Sequence, residues 1–257
     1  MVTLGIDLAA EPRNTGGCEI EWRDGGAAVR WVSTDLRDED VLERAREADM
    51  VGIDAPFGWP TSFVDAVTAH HSGRAWPIDS WSSDNRRKLR LRVTDERVHA
   101  VTGITPLSVS SDAIAIPATR CALLLHRLGV RDRAADARVR EVYPAAALFQ
   151  WELRHRGYKG QQNSRVLGTL LAGLRKRAPW LVIAAQAARL CATCDDAFDA
   201  LVASLVARAA SEGLTMAPGA DEVAAARAEG WIALPDRGSL EKLVPAHRAG
   251  SANDAKS

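Results

Sequence analysis

The chain has 257 residues, 47% of them hydrophobic and 26% charged, which is enough to bury the core of one large domain and excludes a mostly disordered polypeptide. Its 33 Lys and Arg balance 33 Asp and Glu, which argues against a protein held on nucleic acid by bulk charge and leaves only a local patch for that purpose. The opening MVTLGIDLAA lacks the basic lead and apolar core of a signal peptide, and no apolar run approaches the roughly 18 to 20 residues of a membrane span. A cytoplasmic protein with no membrane partner is the expectation.

In chain order, residues 2–9 form a short apolar run with Asp7 near its end, closed by a polar loop at 11–17, the pattern of a buried strand. Residues 18–22 and 28–33 alternate around Asp24-Gly25-Gly26, a hairpin signal that puts Cys18, Ile20 and Trp22 on one face. Residues 38–48 carry Val41, Leu42 and Ala45 at helical spacing, and 50–53 is a second apolar strand ending at Asp54. Strand, crossover helix and strand predict parallel pairing of the outer two, while the hairpin makes the sheet mixed.

From Pro56 to about Ile116 periodicity lapses among Gly58, Pro60, Pro77, Gly103 and Pro106. An irregular insertion after the fourth strand, over about 56–117, is predicted to cover the sheet's C-terminal edge, where open α/β folds bind ligands. Within it residues 86–92, read as extended, put Arg86, Lys88, Arg90 and Arg92 on one phosphate-facing side, the alternative being a solvated face. Trp59, Trp76 and Trp81 lie nearby, as stacking platforms or as anchors that pack a loop down. Further helices are predicted at 118–128, 145–156, 165–176, 181–190 and 196–212, the last stopped by Gly213. Strands are predicted at 139–142 and 229–235, and a frayed tail at 247–257. Cys18, Cys121, Cys191 and Cys194 show no disulfide framework, and the lone pair Cys191 and Cys194 has no second pair to complete a zinc site, so reduced cysteines are expected.

Asp7, Asp54 and Glu141 each stand at the end of a predicted strand. If those strands are parallel neighbours, the three side chains converge on one sheet edge. Asp196 and Asp199 are three apart at the start of the 196–212 helix and share a face, where the helix dipole favours negative charge. Clustered carboxylates repel and desolvate poorly, so such a set calls for a cation, and hard oxygen donors suit Mg²⁺ or Mn²⁺. Two such ions roughly 3.5 to 4 Å apart clamp the attacking and leaving oxygens of a phosphodiester. Each acid has an ordinary use: Asp195 or Asp196 as a helix cap, Asp54 as a turn residue before Ala55-Pro56. Asp7, inside an apolar strand, is costly to bury without a partner. Together the set points to a metal site of Asp7, Asp54, Glu141, Asp196 and Asp199.

The motifs GIDLA, GIDAPFGWP, RVTDERV, TGITPLSVS, REVYPAA, YKG, DDAFDALVAS and EGWIALP stand in the order of a known family. From about Val2 to Pro235 the chain resembles family number four hundred and twenty-nine among the domains of unknown function, whose members are described as predicted RNase H-like nucleases. The resemblance implies an α/β, RNase H-like mixed sheet flanked by helices, one domain over about 1–246. It also implies divalent-metal-dependent hydrolysis of phosphodiester bonds in nucleic acid. In the superfamily's pattern the first-strand acid falls on Asp7, a later-strand acid on Asp54 or Glu141, and the terminal-helix acid on Asp199, with Asp196 second. Arg92, Asp95, Arg97, Arg120 and Lys159 are the candidates for holding phosphate or steadying the carboxylates; an ion-paired surface charge is the plain alternative for each.

Two other functions stay open. A nucleotide phosphohydrolase or phosphotransferase of the actin and sugar-kinase type shares an acid followed by a hairpin, but Ala9 stands where that class usually carries glycine and no second glycine-rich phosphate loop follows. A non-catalytic nucleic-acid-binding scaffold leaves the acids unexplained. A nucleophilic hydrolase is excluded, since Ser108, Ser110 and Ser111 lie in SVSS rather than in a GxSxG elbow.

Overall fold

The structure, a computed structural model, describes residues 1–110, 112–134 and 138–244, so the tail expected from His247 lies outside it. Alternating apolar residues make β1 (Val2–Asp7), β2 (Gly16–Arg23) and β3 (Gly26–Ser33), the last two joined by the expected hairpin. An amphipathic α1 (Asp38–Glu47) buries Val41, Leu42 and Ala45 and crosses to β4 (Met50–Asp54). Then come α2 (Thr61–His71), α3 (Ser83–Arg90), α4 (Val93–Thr102), α5 (Asp112–Arg127), β5 (Val139–Glu141) and α6 (Pro144–Gln150). The chain continues through α7 (Ser164–Arg177), β6 (Leu181–Val182), α8 (Ala185–Thr193), α9 (Asp195–Ser211) and α10 (Val223–Glu229). The fold is α/β: one mixed six-stranded sheet, in the order β5-β4-β1-β2-β3-β6, flanked by helices. β1 pairs antiparallel with β2 and parallel with β4, which in turn pairs parallel with β5.

The two-residue period of the strands sorts their side chains to two cores. Leu4, Ile6, Val51, Ile53 and Val139 face α1 and α5, packing on Val41, Leu42, Cys121 and Leu124. Cys18, Ile20 and Trp22 face the opposite side with α7 and α9, against Leu171, Phe198, Leu201 and Leu205. α9 lies on this second face almost without intervening side chains. A Cβ on Gly5 would collide with Ala200 O, one on Gly52 with Ala203 O and one on Gly16 with Asp196 O. Three glycines on adjacent strands thus clear a trough, and Thr3 Oγ1 meets Ser204 Oγ at 2.7 Å along it. That close seat explains why α9 is rich in alanine.

Several expectations give way to the structure. The 56–117 stretch is largely helical, not irregular, with α2, α3, α4 and the start of α5 in it. The basic run is a helix rather than a strand: Ser82 Oγ accepts from Asn85 N at 3.1 Å, Asp84 occupies the first turn, and Arg87, Lys88 and Arg90 the last, all favourable to the dipole. α5 starts before Pro117 and carries it within. α6 stops at Gln150 instead of reaching 156, because the chain reverses at Glu152, whose φ is +55°. Residues 181–190 split into β6 and α8; the edge of β3 recruits the first part, with Ala27 N donating to Trp180 O at 3.0 Å. At 229–235 there are isolated bridges, Glu141 to Ile232 and Thr215 to Pro235, in place of a strand. Among the described residues no helix is long and apolar enough to cross a membrane.

Candidate functional site

Asp7 and Asp54 are register partners in the parallel β1–β4 ladder. Directly opposed residues of such a ladder share a face, and the parity of Thr3, Gly5 and Gly52 puts both on the α9 side. The glycine trough lets the first turns of α9 descend onto them, which brings Asp199, with 0% exposure, to the same place. Burial first, then Asp54 and Asp199, push the Asp7 carboxyl well above the usual range, with Lys159 opposing. Burial raises Asp54 to about 7, with Lys159 pulling it down and Asp199 and Glu141 pushing it up. Asp199 is raised by burial, against the lowering effect of Lys159 and Tyr158. Asp196, half-buried, is raised by burial and by Asp195 and contributes weakly to the field at Asp7.

Tyr158 OH donates to Asp199 Oδ1 at 2.8 Å and Lys159 Nζ stands 2.6 Å from Oδ2. The pair sits between Gly157 and Gly160, whose φ values of +68° and +91° turn the loop inward, and Gly160 N donates to Asp195 Oδ2 at 3.1 Å. The Lys159 side chain is 57% exposed although its ammonium reaches a fully buried oxygen. Asp199 holds the ammonium far above its ordinary pKa, so it stays charged.

Glu141 stands apart from these acids. It registers with Ile53, one residue short of Asp54, and so projects to the opposite face, within the field of Cys121. There Arg92, 2% exposed, donates to both of its oxygens at 2.9 and 2.7 Å and to Asp95 at 2.8 and 3.1 Å. Phe57 N adds a third bond to Glu141 Oε2 at 3.0 Å. Burial raises the Glu141 carboxyl and Arg92 lowers it. Asp95 also accepts from Arg92 N at the start of α4. Arg97 pairs with Glu222 at the surface, and Arg120 clamps Asp38, Ala9 O and Thr15 Oγ1. Of the five residues expected to bind phosphate or steady the acids, Arg92 holds Glu141 and Lys159 reaches Asp199.

Three residues escaped the sequence reading. Tyr158 lies in YKG and Tyr143 in REVYPAA, motifs from which only the charged members were taken. The Tyr143 phenol is raised by burial and then by Asp54. Glu229 gave no signal: its carboxylate accepts Thr61 N at 2.8 Å and Val93 N at 2.9 Å, joining the starts of α2 and α4. Beside the acids opens a cavity of about 390 Å³ whose lining includes Asp54, Tyr143, Arg156 and Lys159.

The donor set suits a hard divalent cation in kind. Asp7, Asp54 and Asp199 share the field of one ammonium, and apart from that 2.6 Å ion pair Asp199 Oδ2 is buried without a hydrogen-bond partner. In the positions they occupy, no group of three or more His, Cys, Asp or Glu among the described residues is arranged to hold an ion.

No curated protein and no solved structure matches the chain. The model of one family, described as "Protein of unknown function (DUF429)", matches residues 5–223. That span covers most of the chain and takes in all three converging acids and Lys159: the protein is a member of the DUF429 family.

Proposed function

We propose that the protein is a divalent-metal-dependent, RNase H-like nuclease that hydrolyses phosphodiester bonds at Asp7, Asp54 and Asp199. One observation carries the reading: three carboxylates separated by nearly two hundred residues meet at the C-terminal ends of the central strands, Asp199 fully buried and Asp7 and Asp54 half-buried, all three raised in pKa, a strain that a bound cation would relieve. A mixed sheet centred on its first strand, with acids on that strand, on a parallel neighbour and on a late helix, accords with the RNase H-like expectation. Four free cysteines suit a cytoplasmic setting.

Asp7, Asp54 and Asp199 would hold Mg²⁺ or Mn²⁺, which would supply Lewis acidity toward a phosphoryl oxygen and make an attacking water more acidic. The chain's own groups do the rest. Asp54, which also lines the cavity, is placed to take up a proton from an attacking water. Tyr158 fixes the Asp199 carboxylate in one rotamer through its hydroxyl. Lys159 exchanges Asp199 for a substrate phosphate oxygen without leaving the cavity wall. Arg92 and Glu141 keep the neighbouring wall rigid and take no part in proton transfer.

The test is hydrolysis of labelled single- and double-stranded oligonucleotides with Mg²⁺ or Mn²⁺, beside Asp7→Asn and Asp199→Asn. Metal-dependent cleavage that falls at least about a hundredfold in both variants, with circular dichroism unchanged, supports the reading. Cleavage indifferent to metal or to both variants sinks it.

A further inference from the structure

The 390 Å³ cavity lies within the roughly 300 to 1,000 Å³ of small-molecule sites. Its composition is graded. Asp54 and Lys159 stand at the acid end; Pro56, Pro106, Val142 and Ile232 make apolar walls; Tyr143, His155 and Arg156 add an aromatic ring and two cationic or hydrogen-bonding heads. Leu107, 62% exposed, forms an apolar lip. A flat aromatic body with a phosphate at one end matches that gradient. The ring stacks and buries against the walls, and the phosphate meets Lys159 and Arg156 beside the carboxylates. A duplex does not match it. Specific duplex contacts spread over roughly 1,000 Å² or more of surface, and a paired base cannot enter a pocket without leaving its stack.

We propose that this cavity is a subsite for one unpaired nucleotide, either free or as an end or extrahelical residue of a strand. The inference rests on the nuclease reading and narrows it: the scissile phosphate belongs to a nucleotide that occupies the pocket, and paired interior positions are poor substrates. The walls Pro56, Pro106, Val142 and Ile232 offer a ring stacking and burial rather than hydrogen bonds, so the pocket takes purines and pyrimidines alike.

The probes are AMP, UMP, ribose 5-phosphate, a single-stranded hexanucleotide and a blunt duplex, each titrated calorimetrically with Mg²⁺ present. The proteins are the native chain, Ala145→Phe and Leu107→Asp. Ala145 is a half-buried lining residue at the start of α6, where a phenyl group fills the cavity; Leu107 is exposed, so its replacement leaves folding alone. AMP and UMP are expected to bind about tenfold or more tighter than ribose 5-phosphate, from stacking. Both variants are expected to lose about tenfold for the nucleotides and the hexanucleotide. The hexanucleotide should bind or be cleaved at least about tenfold better than the blunt duplex if strands are the source; AMP and UMP alone binding assigns the pocket to free nucleotides. Nucleotides no tighter than ribose 5-phosphate, or binding indifferent to both variants, overturns the subsite. If nucleotides bind as stated but Asp7→Asn cleaves as the native chain does, the nuclease reading falls and the subsite stands. If duplex interiors are cut in a metal- and Asp7-dependent way with both pocket variants fully active, the reading stands and the subsite falls.

Discussion

The ammonium of Lys159 sits 2.6 Å from Asp199 Oδ2, an oxygen with no access to solvent, yet more than half of the lysine side chain is exposed. The ion pair is therefore held from outside, like a plug. Lys159→Met removes the cation that lowers Asp7, Asp54 and Asp199, whose ionisation then shifts still higher. The variant should melt several degrees below the native chain at pH 8 and close to it at pH 5, where the acids hold protons. Equal losses at both pH values would show that the lysine acts by packing alone.

Stability should fall as pH rises through the neutral range. Asp54 titrates near 7 in the folded chain against an ordinary 3.8, so between those values the folded state binds the extra proton. Its contribution is most favourable below about 4, erodes up to about 7 and is fully lost above it; Asp7 and Asp199 shift in the same direction. Asp54→Asn should flatten the slope of melting temperature from pH 5 to 8 and raise the melting temperature at pH 8. An unchanged slope in that variant would contradict the burial of an ionised Asp54.

Mn²⁺ or Mg²⁺ at about a hundred times its dissociation constant should add about 2.7 kcal/mol of stability, or roughly 5 to 10 °C for a chain of this size. Asp7→Asn and Asp199→Asn should abolish the shift. A metal-induced rise of equal size in both variants would put the ion elsewhere.

Arg92→Met leaves Asp95 and Glu141 buried without their partner and should destabilise by about 3 to 5 kcal/mol in chemical unfolding. Arg92→Lys should recover little, since a lysine cannot present two forks to two carboxylates. Glu141→Gln should spare most hydrolytic activity where Asp7→Asn loses it. Equal losses in both would bring Glu141 back among the reacting groups.

The sequence and the structure part at places where local pattern stops being informative. β1, β2, β4, α1 and α9 were legible because their burial repeats at two or 3.6 residues along the chain itself. Asp7, Asp54 and Asp199 were legible because an acid interrupts those repeats. The orientation of Glu141 was not: its face depends on pairing with Ile53 rather than Asp54, a single step of register between strands about ninety residues apart. The basic helix misled for a different reason. Residues 86–92 alternate charge and leucine well enough for a strand, and the deciding signal was the Ser82 cap upstream. Residues 181–190 misled because a two-residue edge strand is too short to leave a period.

The seat of α9 on Gly5, Gly16 and Gly52 has a bearing on how the molecule is made. Asp7 is synthesised long before the helix that completes its surroundings, which begins at Asp195. At translation rates of about 5 to 20 residues per second, the interval is on the order of ten seconds or more. Throughout it β1 and β4 present a bare glycine trough and two aspartates without the third. The three acids come together only once Asp199 has been made, so any product of synthesis interrupted before it lacks the proposed site.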